Sequence, residues 1–238
     1  MQKKTIFFDL DDTLYDRWIP YAAAFGQFFS GQYAHLARAA FHAVLQRGYE
    51  VFVAAHTGQI TMDAMHIYRH QTGLRDVGLA ISADEALQMQ ALYAAEQRRI
   101  RPSAAMCDAL TYARAHFAAL GVITNGSSRT QRGKLQSLGM ECWLDEALVF
   151  ISDECGVMKP APELFLRAQQ AAGSGPCVFV GDSCSQDIAP AAACGWQTIW
   201  MNRTGQTPVG AQPDFIVHSD EELYACLQAL SRETTPDP

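Results

Sequence analysis

The sequence predicts an α/β protein in which a parallel sheet carries helices on both faces and a block of helices is inserted after the first strand. Three observations carry this prediction. The apolar run Thr5-Ile6-Phe7-Phe8 reads as a buried strand. From Pro102 onward, helical and extended patterns alternate, which is the rhythm of strand-helix-strand units. Between Arg17 and about Arg101 the apolar residues recur at helical spacing, and no strand pattern intervenes.

In order along the chain, Trp18, Tyr21, Ala22, Phe25, Phe28 and Phe29 form one helical stripe, which Phe41, Val44, Leu45, Phe52 and Val53 continue. Thr61-Met62-Asp63-Ala64 opens a further helix ending near Gly73, and Ser82-Ala83-Asp84-Glu85 has the cap-plus-carboxylate pattern of another start. The alternating part then reads as helix 105–116, strand 117–124, helix 127–138, strand 148–151 and helix 162–172. It continues as strand 177–180, helix 186–194, strands 197–201 and 215–217, and a capped helix 219–230. The predicted core is therefore discontinuous, 1–16 plus 102–232, with a helical block at 17–101 and a disordered tail at 233–238.

The chain has 238 residues, 49% of them hydrophobic, enough for a substantial buried core. A formal charge of -7 and a pI near 5.4 argue against a nucleic-acid polymer or an acidic membrane as partner and favour a small molecule. Met1-Gln2-Lys3-Lys4 runs straight into the first strand, and no apolar stretch reaches the about 18 residues of a membrane span, so a cytoplasmic location is expected. Seven cysteines without a CxxC pair read as reduced thiols, with Cys184 a space-filling residue.

The first strand discharges into Asp9-Leu10-Asp11-Asp12-Thr13. Residues alternate sides along a strand, so Asp9 and Asp11 reach one small site only where the chain turns or uncoils between them. At about 4 Å and an effective dielectric near 20, each like-charge contact costs roughly 4 kcal/mol, so such carboxylates need a cation or a proton. Three more polar clusters follow core strands: Thr124-Asn125-Gly126-Ser127-Ser128, Gly156-Val157-Met158-Lys159-Pro160 and Gly181-Asp182-Ser183-Cys184-Ser185-Gln186-Asp187. A parallel sheet puts its ligand crevice at those strand ends. Four carboxylates, a hydroxyl, an ammonium and two helix starts point to a hard divalent cation with a phosphate beside it.

These four segments resemble the signature motifs of the haloacid dehalogenase superfamily, in order and on the expected elements. Asp9, Asp11 and Thr13 match the first motif, Thr124 the second, Lys159 the third, and Gly181-Asp182 with Asp187 the fourth. The resemblance implies a Rossmann-like parallel sheet core with an inserted α-helical cap, and a phosphatase using Mg2+. It implies Asp9 as nucleophile and Asp11 as the acid that protonates the leaving oxygen and later activates water. By the same resemblance, Lys159 is expected to hold Asp9 and a phosphate oxygen, Thr124 to bond another oxygen, and Asn125 to line the phosphate pocket. Asp9, Asp182 and the Asp11 backbone carbonyl are expected to bind the metal, and Asp187 to orient its water shell.

The resemblance also leaves readings open. Relatives that cleave carbon-halogen bonds have no need of an acid at position 11, so Asp11 favours phosphate esters. A phosphomutase, a 2-haloacid dehalogenase and a phosphometabolite-binding protein are the alternatives. The stretch from Ile151 to Pro162 and Trp200-Met201-Asn202 look similar to pyrimidine 5′-nucleotidase-like members, which suggests a nucleoside monophosphate or a sugar phosphate as substrate. Singly, each site residue has an ordinary explanation: a strand-end turn for Asp9 and Asp11, a helix cap for Thr124 and Asn125, a solvated charge for Lys159. Asp12 reads as a turn residue and Arg129 and Arg132 as surface charges. Tyr15, Arg17, Trp18 and Tyr21 near one hinge, and Arg98, Arg99 and Arg101 near the other, read as packing and helix-end charge. His66 and His70 read as packing rather than a metal pair.

Overall fold

A computed structural model describes residues 2–173 and 175–232; the expected tail at 233–238 lies outside them. The chain divides into two compact units: residues up to Asp16 with those from Arg101 onward, and Arg17–Ile100. In chain order, β1 (Thr5–Phe8) is followed by α1 (Trp18–Phe28), α2 (Ala37–His56), α3 (Met62–Asp76) and α4 (Ala83–Gln97), which make the helical unit. The sheet unit resumes with α5 (Ala104–His116), β2 (Ala119–Thr124), α6 (Ser128–Leu138), β3 (Val149–Ile151), the single turn α7 (Ser152–Cys155) and α8 (Pro162–Ala172). It closes with β4 (Cys177–Gly181), α9 (Ala189–Ala193), β5 (Gln197–Met201), β6 (Phe215–Val217) and α10 (Asp220–Arg232).

The strands lie in the order β3-β2-β1-β4-β5-β6, all parallel. β1 is central, with Phe8 opposite Val122 of β2 on one side and Val180 of β4 on the other. Its run of apolar residues fits a strand covered on both faces, and Ile6, Phe7 and Phe8 have no exposed surface. Strand order runs outward from β1 through β2 to β3, then returns to lay β4 against the other side of β1. The direction therefore switches between β1 and β4, where diverging loops leave a crevice at the strands' carboxyl ends.

Phe7, Phe165, Phe179 and Trp196 pack in one cluster of the sheet unit, Phe7 and Trp196 with ring centroids 5.1 Å apart and Phe165 edge-on to Phe179 at 5.3 Å. In the helical unit Tyr21, Phe25, Phe41, Val44, Leu74, Met89 and Tyr93 form a separate core. Each unit thus buries its own apolar face. Thr61 caps α3 by accepting the Ala64 N–H, and Ser82 with Glu85 forms a reciprocal capping box on α4, as the sequence pattern predicts.

Two boundaries differ from the sequence reading. α3 does not stop at Gly73 but runs to Asp76, because Gly73 is a contact residue: a Cβ there would lie 2.7 Å from the Val44 backbone on α2. The segment expected to be helical from 186 begins as a π-turn over Cys184–Ile188. There the Asp187 and Ile188 N–H groups both donate to the Ser183 carbonyl, at 2.9 and 3.2 Å. No helix among the described residues is long and apolar enough to cross a membrane.

Gly73→Ala is expected to cost about 1–3 kcal/mol through overpacking against Val44. Gly26→Ala in α1, whose added Cβ meets nothing within 4 Å, is expected to be neutral or stabilising by up to about 1 kcal/mol. Equal denaturation midpoints for the two variants would contradict the close approach of α2 and α3.

Candidate active site

Asp9 is the first residue past β1, and its N–H donates to the Val180 carbonyl at 2.8 Å, extending the pairing with β4 by one residue. That bond fixes a carboxylate that is only 6% exposed. Lys159, equally buried, brings its Nζ to 2.6 Å from Asp9 Oδ1 and 2.6 Å from Asp187 Oδ1. Asn125, just past β2, grips the Lys159 backbone: its Nδ2 donates to the Lys159 carbonyl at 2.9 Å and its Oδ1 accepts the Lys159 N–H at 2.8 Å. The ammonium is therefore held from two strand ends.

Asp187 accepts the Ser183 N–H on its other oxygen at 3.0 Å, which closes the π-turn and aims the carboxylate inward. Gly181 at the end of β4 makes room for it, since a Cβ there would come within 2.6 Å of the Asp187 carboxyl. Asp182 follows, its carbonyl accepting the Trp200 indole N–H at 2.7 Å. Asp9, Asp182 and Asp187 each offer an oxygen within 4.8 Å of the other two. Three hard oxygen donors at this spacing suit a divalent cation such as magnesium, so the residues fit the group the motifs imply.

Burial raises the Asp9 carboxyl to about 6; Lys159 opposes the rise, while Asp187 and Asp11 add to it. Burial also works against the charge on Lys159, but Asp187 and Asp9 overcome it and hold the ammonium above its ordinary range. Lys159 thus stays protonated, and Asp9 is the member of the pair whose charge burial opposes most effectively.

The Asp11 carboxylate stands apart from the three-carboxylate cluster. Lys134 Nζ on α6 lies 2.7 Å from both of its oxygens, and the Tyr15 hydroxyl donates to Oδ1 at 2.5 Å. Gln131 Nε2, one turn before Lys134, lies 3.3 Å from Asp11 Oδ2 and donates to Thr124 Oγ1 at 2.6 Å. Asp12 turns the chain at φ +60°, and the Asp12 and Thr13 carbonyls accept from Arg203 at 3.2 and 3.0 Å. Arg203 also pairs with Asp220, so the loop after β1 is pinned from across the sheet unit.

The description "haloacid dehalogenase-like hydrolase" matches residues 3–195, most of the chain. The chain belongs to that family. Among curated relatives, this haloacid dehalogenase-like hydrolase is 33% identical over 114 residues to N-acylneuraminate-9-phosphatase of Mus musculus, covering 46% of this chain and 45% of that protein. It is 36% identical over 114 residues to the pyrimidine 5′-nucleotidase YjjG of Escherichia coli, covering 46% and 50%. The chain spans about half the length of these curated relatives. The crystal structure of the HAD-hydrolase YfnB from Bacillus subtilis bound to magnesium superposes with a TM-score of 0.72 at 25% identity, covering 95% of this chain and 99% of that one.

Some expectations for individual residues change. Thr124 and Asn125 do not cap α6; Ser127 does, accepting the Thr130 N–H, which leaves Asn125 to clamp Lys159. Lys159 has Asp187 as a second carboxylate partner besides Asp9, a pairing the motif reading did not include. Arg132 pairs at the surface with Glu146 and Glu154. His70 is buried against Gln90 Oε1 at 3.1 Å, and burial, then Arg69, lowers His66 to about 4, as packing within a helical core would give. The seven cysteines are all free thiols.

Sequence reading missed Lys134, Gln131 and Tyr15. The signal was faint: Gln131, Lys134, Leu135 and Leu138 share the buried stripe of α6, where a lysine and a glutamine replace apolar residues. Nothing in one sequence says that their partner is Asp11.

Because Asp9 binds its proton more tightly in the folded chain (about 6) than at its ordinary value of 3.8, its contribution to stability is full below 3.8 and is lost as pH rises through about 6. Asp9→Asn is therefore expected to stabilise the metal-free protein by about 1–3 kcal/mol at pH 7.5, a gain that vanishes toward pH 4. Thermal unfolding in chelator at both pH values checks this; a less stable variant at pH 7.5 would contradict it.

Proposed function

We propose that this chain is a magnesium-dependent phosphomonoester hydrolase acting on a small phosphorylated metabolite. The observation that carries the reading is the Asp9 carboxylate beside Lys159 at the carboxyl end of β1, with Asp182 and Asp187 within reach of a common ion. In this reading Asp9 attacks phosphorus and forms an aspartyl phosphate, which water then hydrolyses. An anion attacking an anion needs positive charge nearby, and Lys159 supplies a fixed one. Thr124 accepts from Gln131, which leaves its hydroxyl proton for a phosphate oxygen. Asp11 gives a proton to the leaving oxygen and takes one from water in the second step. Asp9, Asp182 and Asp187, with the Asp11 carbonyl, would hold magnesium, which would supply the remaining neutralisation of the phosphate charge.

The acid at position 11 supports ester cleavage over dehalogenation, because halide leaves without a proton. The named activities of the mouse and Escherichia coli relatives, phosphatase and nucleotidase, support a phosphomonoester as the substrate. Nucleoside monophosphates and sugar phosphates are the two classes we put forward.

Release of free phosphate from p-nitrophenyl phosphate is expected with magnesium, is expected to stop in chelator, and is expected to fall by at least about 1,000-fold in Asp9→Asn. Undiminished turnover by Asp9→Asn would overturn the assignment. Phosphate appearing on a second sugar carbon instead of in solution would mean a mutase.

A further inference from the structure

The donors gathered on Asp11 have no task in the reaction as written above. Lys134 reaches both carboxylate oxygens at 2.7 Å, Tyr15 donates to one, and Gln131 stands between Asp11 and Thr124. Lys134 is 6% exposed and Gln131 1% exposed. A buried lysine-carboxylate pair is a weak source of stability, since desolvation of both charges offsets much of their attraction. Two such polar residues on the inner stripe of α6, where Leu135 and Leu138 do the packing, point to a use other than stability.

That use is orientation. An aspartate on a loop has two freely rotating side-chain bonds, and a proton donor must lie within hydrogen-bond reach of the leaving oxygen to act. An ammonium astride both oxygens removes that freedom. It is carried by a helix whose start is fixed by Ser127 and by the Ser128 N–H donating to Asp153 at 2.8 Å. Gln131 ties the same carboxyl to Thr124, so the proposed acid and the proposed phosphate ligand are set by one helix face.

Resting on the phosphatase reading, we propose that Lys134 is the positioning residue for Asp11: when the carboxyl group is protonated, one oxygen stays on the Lys134 ammonium and the other carries the proton that goes to the leaving oxygen. Lys134 touches neither the nucleophile nor the three-carboxylate cluster in the contacts described, and acts through Asp11.

The test is a leaving-group series with magnesium present: 2,4-dinitrophenyl, p-nitrophenyl and phenyl phosphate, similar in shape but increasingly dependent on protonation of the departing oxygen. The readout is kcat/KM, which covers steps only through loss of the leaving group. Lys134→Met is expected to lose about 100-fold with phenyl phosphate and under about 3-fold with 2,4-dinitrophenyl phosphate, following the same order as Asp11→Asn. Lys134→Arg is expected to restore phenyl phosphate turnover to within about 5-fold of the wild type. If Lys134→Met does not fold, Lys134→Gln carries the comparison. An equal loss across the series, or none, overturns the positioning role while leaving the phosphatase reading intact. A wild-type chain that hydrolyses none of the three overturns that reading and this inference with it.

Discussion

Negative charge concentrated at the switch between β1 and β4 is the constraint on which the rest of the site depends. Asp9 and Asp182 are each the first residue past one of these adjacent strands, so parallel pairing alone brings them near each other. Asp187 joins them through the π-turn, and Lys159 is the ammonium that bridges two of the three. Burial is the main cause of the raised proton affinity of Asp9; Lys159 opposes it, and the neighbouring carboxylates Asp187 and Asp11 add to it. Three carboxylate oxygens within 4.8 Å of one another suit a hard divalent cation.

Much of the surrounding structure serves to hold those charges where they repel. The Asp9 N–H is tied to β4, Asn125 clamps the Lys159 backbone, Gly181 clears space for Asp187, and Arg203 fastens the carbonyls of Asp12 and Thr13. None of these contacts gains much by itself. Together they place the groups on rigid strand ends, where small displacements would be costly to any chemistry that needs them aligned.

The strands and the helical insertion were legible because burial on both faces forces continuous apolar runs, as in β1 and β4, and an amphipathic helix forces its stripe. Polar clusters past strand ends marked the site for the same topological reason. The extent of α3 was not legible, because Gly73 reads as a helix stop until Val44 is seen pressed against it. The π-turn was hidden too, since the bond between the Asp187 side chain and the Ser183 backbone that accompanies it is a contact no residue propensity announces. The grip of Lys134 on Asp11 spans 123 positions, and a lysine on a buried stripe announces only that it has some partner.

The most direct test is calorimetric titration of magnesium into the metal-free chain. Convergence of the three carboxylates on one cation predicts one site per chain, occupied at millimolar magnesium or below, and binding at least about tenfold weaker in Asp182→Asn, which keeps the Lys159 pairs but removes one negative charge from the ligand set. Unchanged affinity in Asp182→Asn, or no binding by the unaltered chain, would contradict it.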